Sequence, residues 1–127
     1  PRDIENNVCV AVRRDNGEKT VISLDNLECE VSKLLESVTK GLYEKALASR
    51  ENMTNVALDL DSMITTADTK PGFIKAMWCG DRDCEELLKE KAGVSSRCMP
   101  FEQETITDKC VCCGKPAKKM VYWGKAY

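Results

Sequence analysis

The spacing of apolar residues changes twice along the chain, and each change marks a different kind of element. Val8, Val10 and Val12 alternate with Cys9, Ala11 and Arg13, which is the period of a strand with one apolar face. Asp15-Asn16-Gly17-Glu18 is a turn signal, because Asn and Gly tolerate positive φ, and Thr20-Val21-Ile22-Ser23 is the returning strand. A lone hairpin is marginal in water, so this one is expected to pair with a further sheet, which can lie upstream of the chain. Val31, Leu34, Leu35, Val38, Leu42, Ala46 and Met53 then recur at helical spacing. Asp25 is the expected cap of that helix, with Glu28 as its capping-box partner. Running to about Asn52, the helix spans on the order of 40 Å at about 1.5 Å per residue. Its stripe is narrow and its opposite face carries Glu30, Lys33, Glu36, Lys40, Glu44, Lys45 and Arg50. That pattern predicts an amphipathic helix packed on a core rather than a free coiled coil, long enough to act as a rigid connector.

Beyond it the elements are short. Residues 55–58 read as a brief strand, and residues 62–69 as a helix stopped before Pro71-Gly72. Phe73-Ile74-Lys75-Ala76-Met77-Trp78 is the strongest strand in the chain. Asp81 caps a helix over residues 82–92, with Asp83, Glu85 and Glu86 in its first turn and Gly93 after its end. Residues 95–99 form another strand, 101–109 a polar excursion, and 119–123 a last strand. The expected class is α+β: an N-terminal β-hairpin, a long connecting helix, then a two-layer βαβαββ domain with a mixed sheet. The expected divisions are 1–25, 26–54 and 55–127, with the hinge at residues 52–55.

Composition narrows the function. The chain has 127 residues, enough for one domain or a small domain with an appendage. It contains no histidine, so histidine acid–base catalysis, a Ser-His-Asp triad and histidine metal ligands are excluded within it. There is no glycine-rich phosphate loop, no membrane span and no signal-peptide pattern. The net charge of −2 argues against a dominant nucleic-acid grip, though a local basic patch remains compatible with it. The chain begins at Pro1 without a methionine and reads as a piece of something longer.

Eight cysteines without a secretory segment point to a reducing compartment and to metal rather than a disulfide scaffold. Cys79-Gly80-Asp81-Arg82-Asp83-Cys84 is C-x4-C, and Cys110-Val111-Cys112-Cys113 is C-x2-C. Two loops that each present two thiolates are the pattern of a closed four-coordinate zinc site made by Cys79, Cys84, Cys110 and Cys113. Gly80 and Gly114 give both loops access to positive φ, where N–H groups can point at sulfur. Cys84 falls in the first turn of a helix, where the positive end of the dipole favours a thiolate. The alternative is a set of buried free thiols or a disulfide network. Cys112 could also replace a neighbour as ligand. Cys9, Cys29 and Cys98 stand alone and are expected to be buried as small hydrophobes. Lys115, Lys118, Lys119 and Lys125 read as solvated, with two other uses open: offsetting the charge of a tetrathiolate or approaching RNA.

Three runs carry a resemblance: Ala76-Met77-Trp78-Cys79-Gly80-Asp81-Arg82-Asp83-Cys84, Ser96-Arg97-Cys98-Met99-Pro100-Phe101, and Cys110-Val111-Cys112-Cys113-Gly114-Lys115-Pro116-Ala117. Together with the tail Val121-Tyr122-Trp123-Gly124-Lys125-Ala126-Tyr127, they resemble the C-terminal domain of prolyl-tRNA synthetases of the archaeal/eukaryotic type. Pro1-Arg2-Asp3-Ile4 and residues 12–18 resemble the end of that family's anticodon-binding domain. The resemblance implies a class II synthetase that activates proline with ATP and transfers it to tRNA(Pro), as a cytoplasmic homodimer without membrane attachment. Residues 1–25 would then end the anticodon-binding domain, and 55–127 would be the zinc-binding domain. Cys79, Cys84, Cys110 and Cys113 match the family's ligands for a structural zinc, and the Tyr127 carboxylate would reach toward the catalytic domain. No catalytic motif falls in this chain, so the fragment alone is expected to be inactive and monomeric, with ATP bound only by the full enzyme. Two other readings compete: an independent zinc-ribbon-like module binding RNA or protein, and a redox switch built on Cys110, Cys112 and Cys113.

Overall fold

The computed structural model describes residues 2–125. Tyr127 lies outside the described residues. Two compact units are present, Pro1–Ser49 and Arg50–Tyr127. The α+β class is as expected.

The first unit holds a short helical turn α1 (Arg2–Glu5), strands β1 (Val8–Val12) and β2 (Lys19–Ser23), and most of helix α2 (Leu27–Asn52). β1 and β2 pair antiparallel with Val10 opposite Val21, and among the described residues they form a sheet of their own. Arg13 holds the unit together. Its guanidinium grips Asp15 at 2.7 and 3.0 Å and donates to Ser37 Oγ on α2 at 2.9 Å. The hydrogen bond from Arg13 holds the Asp15 carboxyl below the usual carboxylate range, against the smaller effect of its partial desolvation.

Two expectations fail in this unit, the cap of α2 and its packing, each for a local reason, and the hairpin shows which of its faces is covered. The valine face of the hairpin is the open one: Val10, Val12 and Val21 are exposed while Ile22 on the other face is buried. Alternation identifies two faces but not which of them is covered. Asp25 does not cap α2. A single 3-10 turn, Leu24–Asn26, precedes the helix, Ser23 Oγ accepts from Asp25 N, and the Asp25 carboxylate is taken by Asn7 Nδ2 at 2.8 Å. Finally, α2 is not packed on a core, since it buries no residue and leaves Leu35 63% and Leu42 53% exposed. Amphipathic spacing states what a helix can cover, and among the described residues this unit offers it a two-stranded hairpin and one helical turn.

The second unit runs β3 (Thr54–Val56), α3 (Leu60–Thr69), β4 (Phe73–Trp78), α4 (Arg82–Ala92), β5 (Val94–Cys98) and β6 (Lys119–Lys125). This is the predicted βαβαββ order. The sheet order is β3-β4-β6-β5, with β3 parallel to β4 and both other pairings antiparallel, so the sheet is mixed. Asp59 and Ser62 form a reciprocal capping box at the start of α3, and the amides it binds hold the Asp59 carboxyl below its usual range. Asp81 caps α4, and Gly93 ends it at φ 64°.

Side chains alternate across the central pair β4–β6 and build two clusters. Ile74, Ala76, Val121 and Trp123 pack with Met63, Leu88, Ala92 and Val94 from the helices and β5. Met77 and Met120 belong to a second cluster with Cys84, Cys110 and Ala117. Trp78 borders both clusters and meets Trp123 edge to face at 6.3 Å between ring centres. The long excursion before β6 is tied down by Gln103, whose amide Oε1 accepts from Met120 N at 2.6 Å, and by Glu104, paired with Lys75 at 2.8 Å.

The turn into β4 depends on Gly72. Its φ is +101°, and a Cβ there would stand 2.0 Å from the Met53 carbonyl oxygen. Gly93 also has positive φ, but a Cβ there meets nothing closer than Lys125 Cε at 3.9 Å. Gly93→Ala therefore carries only the left-handed penalty of about 1–2 kcal/mol, whereas Gly72→Ala is expected to cost about 3 kcal/mol or more through strain plus backbone collision. Urea unfolding of the two variants measures the difference; equal midpoints would contradict the close approach at Met53.

Candidate metal centre

Each cysteine loop is positioned by an element that ends at it. β4 delivers Cys79 directly after Trp78, whose indole Nε1 donates to Asp81 O at 3.1 Å across the loop. Asp81 then accepts from Asp83 N, starts α4, and sets Cys84 in its first turn. The second loop is a tight knuckle. Gly114 N donates to Cys110 O at 3.0 Å, Cys110 N to Lys115 O at 2.8 Å, and Ala117 N to Asp108 O at 2.8 Å. Val111 N donates to Met77 O at 2.9 Å, which fastens the knuckle to the end of β4. From there the chain enters β6, whose Lys119 pairs with Trp78 in register. Gly80 and Gly114 have φ of +94° and +69°, the conformation expected of both loops.

The result is one cluster of sulfur. The Sγ atoms of Cys79, Cys84, Cys110 and Cys113 all lie within 4.8 Å of one another. Cys79 Sγ is 3.7 Å from that of Cys84 and 3.9 Å from that of Cys113. Four sulfurs at tetrahedral corners about 2.3 Å from a central ion would be about 3.8 Å apart, so this donor set fits a metal ion. A disulfide would require about 2.05 Å. All eight cysteines are free thiols, so no disulfide network is present.

Burial pushes the Cys79 and Cys84 thiols up, with the neighbouring Cys113 sulfur adding to the effect at both. Burial acts the same way on Cys110, but backbone hydrogen bonds directed at its sulfur outweigh it and bring the thiol down to about 7. Cys113 is the exposed member, Cys79 is half-buried, and Cys84 and Cys110 are buried. The set contains four donors and no carboxylate or open position, an arrangement suited to a structural ion rather than to activating water.

Cys112 lies between two members of the set without joining it. It is half-buried, packs against both apolar clusters, and burial raises its thiol. Cys29 and Cys98 depart from expectation: both are exposed, and only Cys9 is even half-buried. A cysteine's apolar neighbours in sequence do not decide which way its side chain faces on a helix or an edge strand. Sequence reasoning missed Gln103, which pairs with β6 at Met120 and has no recognisable motif. Lys119, read from the sequence as a solvated lysine, sets its Nζ 5.8 Å from the centre of the Trp78 ring and 3.3 Å from where a Gly80 Cβ would be, a contact no local pattern announces.

Comparison with known proteins agrees with the fold. The family model described as "Prolyl-tRNA synthetase, C-terminal" matches residues 60–127. The chain is 62% identical over its whole length to a proline–tRNA ligase of Clostridium novyi and 57% identical to one of Ruminiclostridium cellulolyticum, and it covers 27% of each. A crystal structure of prolyl-tRNA synthetase from Cryptosporidium parvum, complexed with L-proline and AMP, superposes with a TM-score of 0.90 at 34% identity. That match covers all of this chain and 27% of the other. The chain thus spans about a quarter of the length of the relatives it matches, and it belongs to the prolyl-tRNA synthetases, in their C-terminal region.

Proposed function

We propose that this chain is the noncatalytic end of an enzyme that ligates proline to tRNA(Pro) with ATP, and that a structural Zn2+ is held by Cys79, Cys84, Cys110 and Cys113. The observation that carries the reading is the convergence of four thiols within 4.8 Å in a chain whose full length aligns with proline–tRNA ligases. Thiolate softness selects zinc over magnesium or calcium, and four sulfurs complete its tetrahedron. In this reading residues 1–25 end the anticodon-binding domain, 26–54 connect, and 55–127 form the zinc-binding domain. The full enzyme works as a cytoplasmic homodimer, and proline, ATP and tRNA(Pro) meet it outside this chain.

When bound, the ion supplies a cross-link between the loop after β4 and the knuckle before β6. The chain's own residues do the rest: Val111 and Trp78 hold the two loops on the sheet, and β6 leaves the knuckle in fixed register with β4. The role assigned to the Tyr127 carboxylate, toward the catalytic domain of the full enzyme, rests on the family resemblance alone. Zinc–thiolate binding contributes on the order of 10 kcal/mol in small domains, comparable to the whole stability of one.

Elemental analysis of the purified protein is expected to find one zinc per chain, and its absence would defeat the metal assignment. Chelation at neutral pH is expected to unfold the region after Asn55 while α2 keeps part of its helix. Backbone amide spectra follow both regions at once, and unchanged signals over residues 72–124 after complete metal removal would contradict the cross-link. Removing Tyr127 from the full-length enzyme is expected to slow aminoacylation by at least about tenfold, close to 1.4 kcal/mol of transition-state stabilisation, with zinc content and Tm unaltered. Parental rates in that variant would leave the terminal carboxylate without a role.

A further inference from the structure

We propose that Cys113 is the point at which a peroxide oxidises this domain, and that the product is a Cys79–Cys113 disulfide joining the same two loops that the metal joins. The inference rests on the zinc reading above.

Two features of the cluster select this pair. Oxidation of cysteine follows thiolate character and access. In a metal-loaded tetrathiolate all four sulfurs are thiolates, so access decides, and Cys113 is the exposed member while Cys84 and Cys110 are 7% and 2% exposed. Once Cys113 is oxidised, the second thiolate must already be close. Cys79 Sγ stands 3.9 Å away and is half-buried, less open than Cys113. Cys112 is the neighbour in sequence, but it is packed against both apolar clusters, and adjacent cysteines bridge only through a strained eight-membered ring.

The step balances with hydrogen peroxide as oxidant. The Cys113 thiolate attacks one peroxide oxygen, the O–O bond breaks, hydroxide leaves, and Cys113 becomes a sulfenic acid. The Cys79 thiolate attacks the Cys113 sulfur, the S–O bond breaks, and a second hydroxide departs. Two thiolates have given up two electrons, their two bonds to zinc have broken, and peroxide has become two hydroxides, which are protonated by the solvent to water. Closing from 3.9 Å to the length of a disulfide, about 2.05 Å, moves two loop residues that are each followed by a positive-φ glycine. Cys84 and Cys110 remain as two ligands, too few to retain zinc.

The choice of partner has a structural consequence. A Cys79–Cys84 bond, across the slightly shorter 3.7 Å gap, would close a loop within one segment and add no covalent link to the knuckle. A Cys79–Cys113 bond instead joins the end of β4 to the knuckle, as the Val111–Met77 hydrogen bond does. The oxidised domain therefore loses its ion while β6 keeps its course, and a dithiol with added zinc restores the original state.

The test uses the full-length enzyme as purified. Metal content is measured first: an enzyme without zinc ends the metal reading and this inference with it. Zinc-loaded enzyme is then treated with hydrogen peroxide while a chromogenic chelator reports released zinc and peptide mapping identifies disulfides. The expected result is one Zn2+ released per disulfide, with the peptides of Cys79 and Cys113 linked. Cys112→Ser is expected to release zinc at the parental rate. Retained zinc, a Cys79–Cys84 link, any link through Cys112, or clearly slower release from Cys112→Ser would each overturn the proposal while leaving the metal assignment standing.

Discussion

Four sulfur atoms crowded within 4.8 Å of one another are the constraint on which the second unit depends. Thiols so close oppose each other's ionisation, because each new negative charge sits beside the last. Burial adds to this at Cys79 and Cys84, where it pushes the thiols up. A divalent cation at the centre reverses the sign of that interaction, turning mutual repulsion into four attractive bonds. The arrangement therefore fits a metal centre, since a cation would relieve the cost of ionising these thiols. The one sulfur already eased toward ionisation is Cys110, brought to about 7 by the amides of its own knuckle.

The rest of the unit prepares this convergence before any ion is considered. The Val111–Met77 bond, the Trp78–Asp81 bond and the β4–β6 register all act at the same end of the sheet. They bring two loops together that are separated in sequence by α4, β5 and the long excursion. Gln103 and Glu104 pin that excursion to the sheet, so the second loop arrives with its direction already set. Packing supplies the platform and the cysteines supply the clasp. Preorganisation of this kind limits the entropy lost when the site closes.

Much of the second unit was legible in the residues. The strand Phe73–Trp78 and the helix Arg82–Ala92 fall at their expected bounds, because alternation, an aspartate cap and a terminal glycine agree with one another there. Agreement was weaker where one signal stood alone. Asp25 looked like a cap, yet Asn7 captured its carboxylate, a contact between residues 18 positions apart that no local pattern contains. The hairpin valines and the apolar stripe of α2 announced faces but not their partners, and both stayed open to solvent.

What the sequence by itself determined was local chemistry and period: which residues alternate, where helices start and stop, and which two loops carry paired thiols. Those properties depend on neighbours within a few positions along the chain. Only the tertiary structure decided which thiols converge, that Cys112 turns into the apolar clusters while Cys113 faces outward, and that Gln103 completes β6. These outcomes depend on strand order and register, where a shift of a single residue would send every side chain to the opposite face.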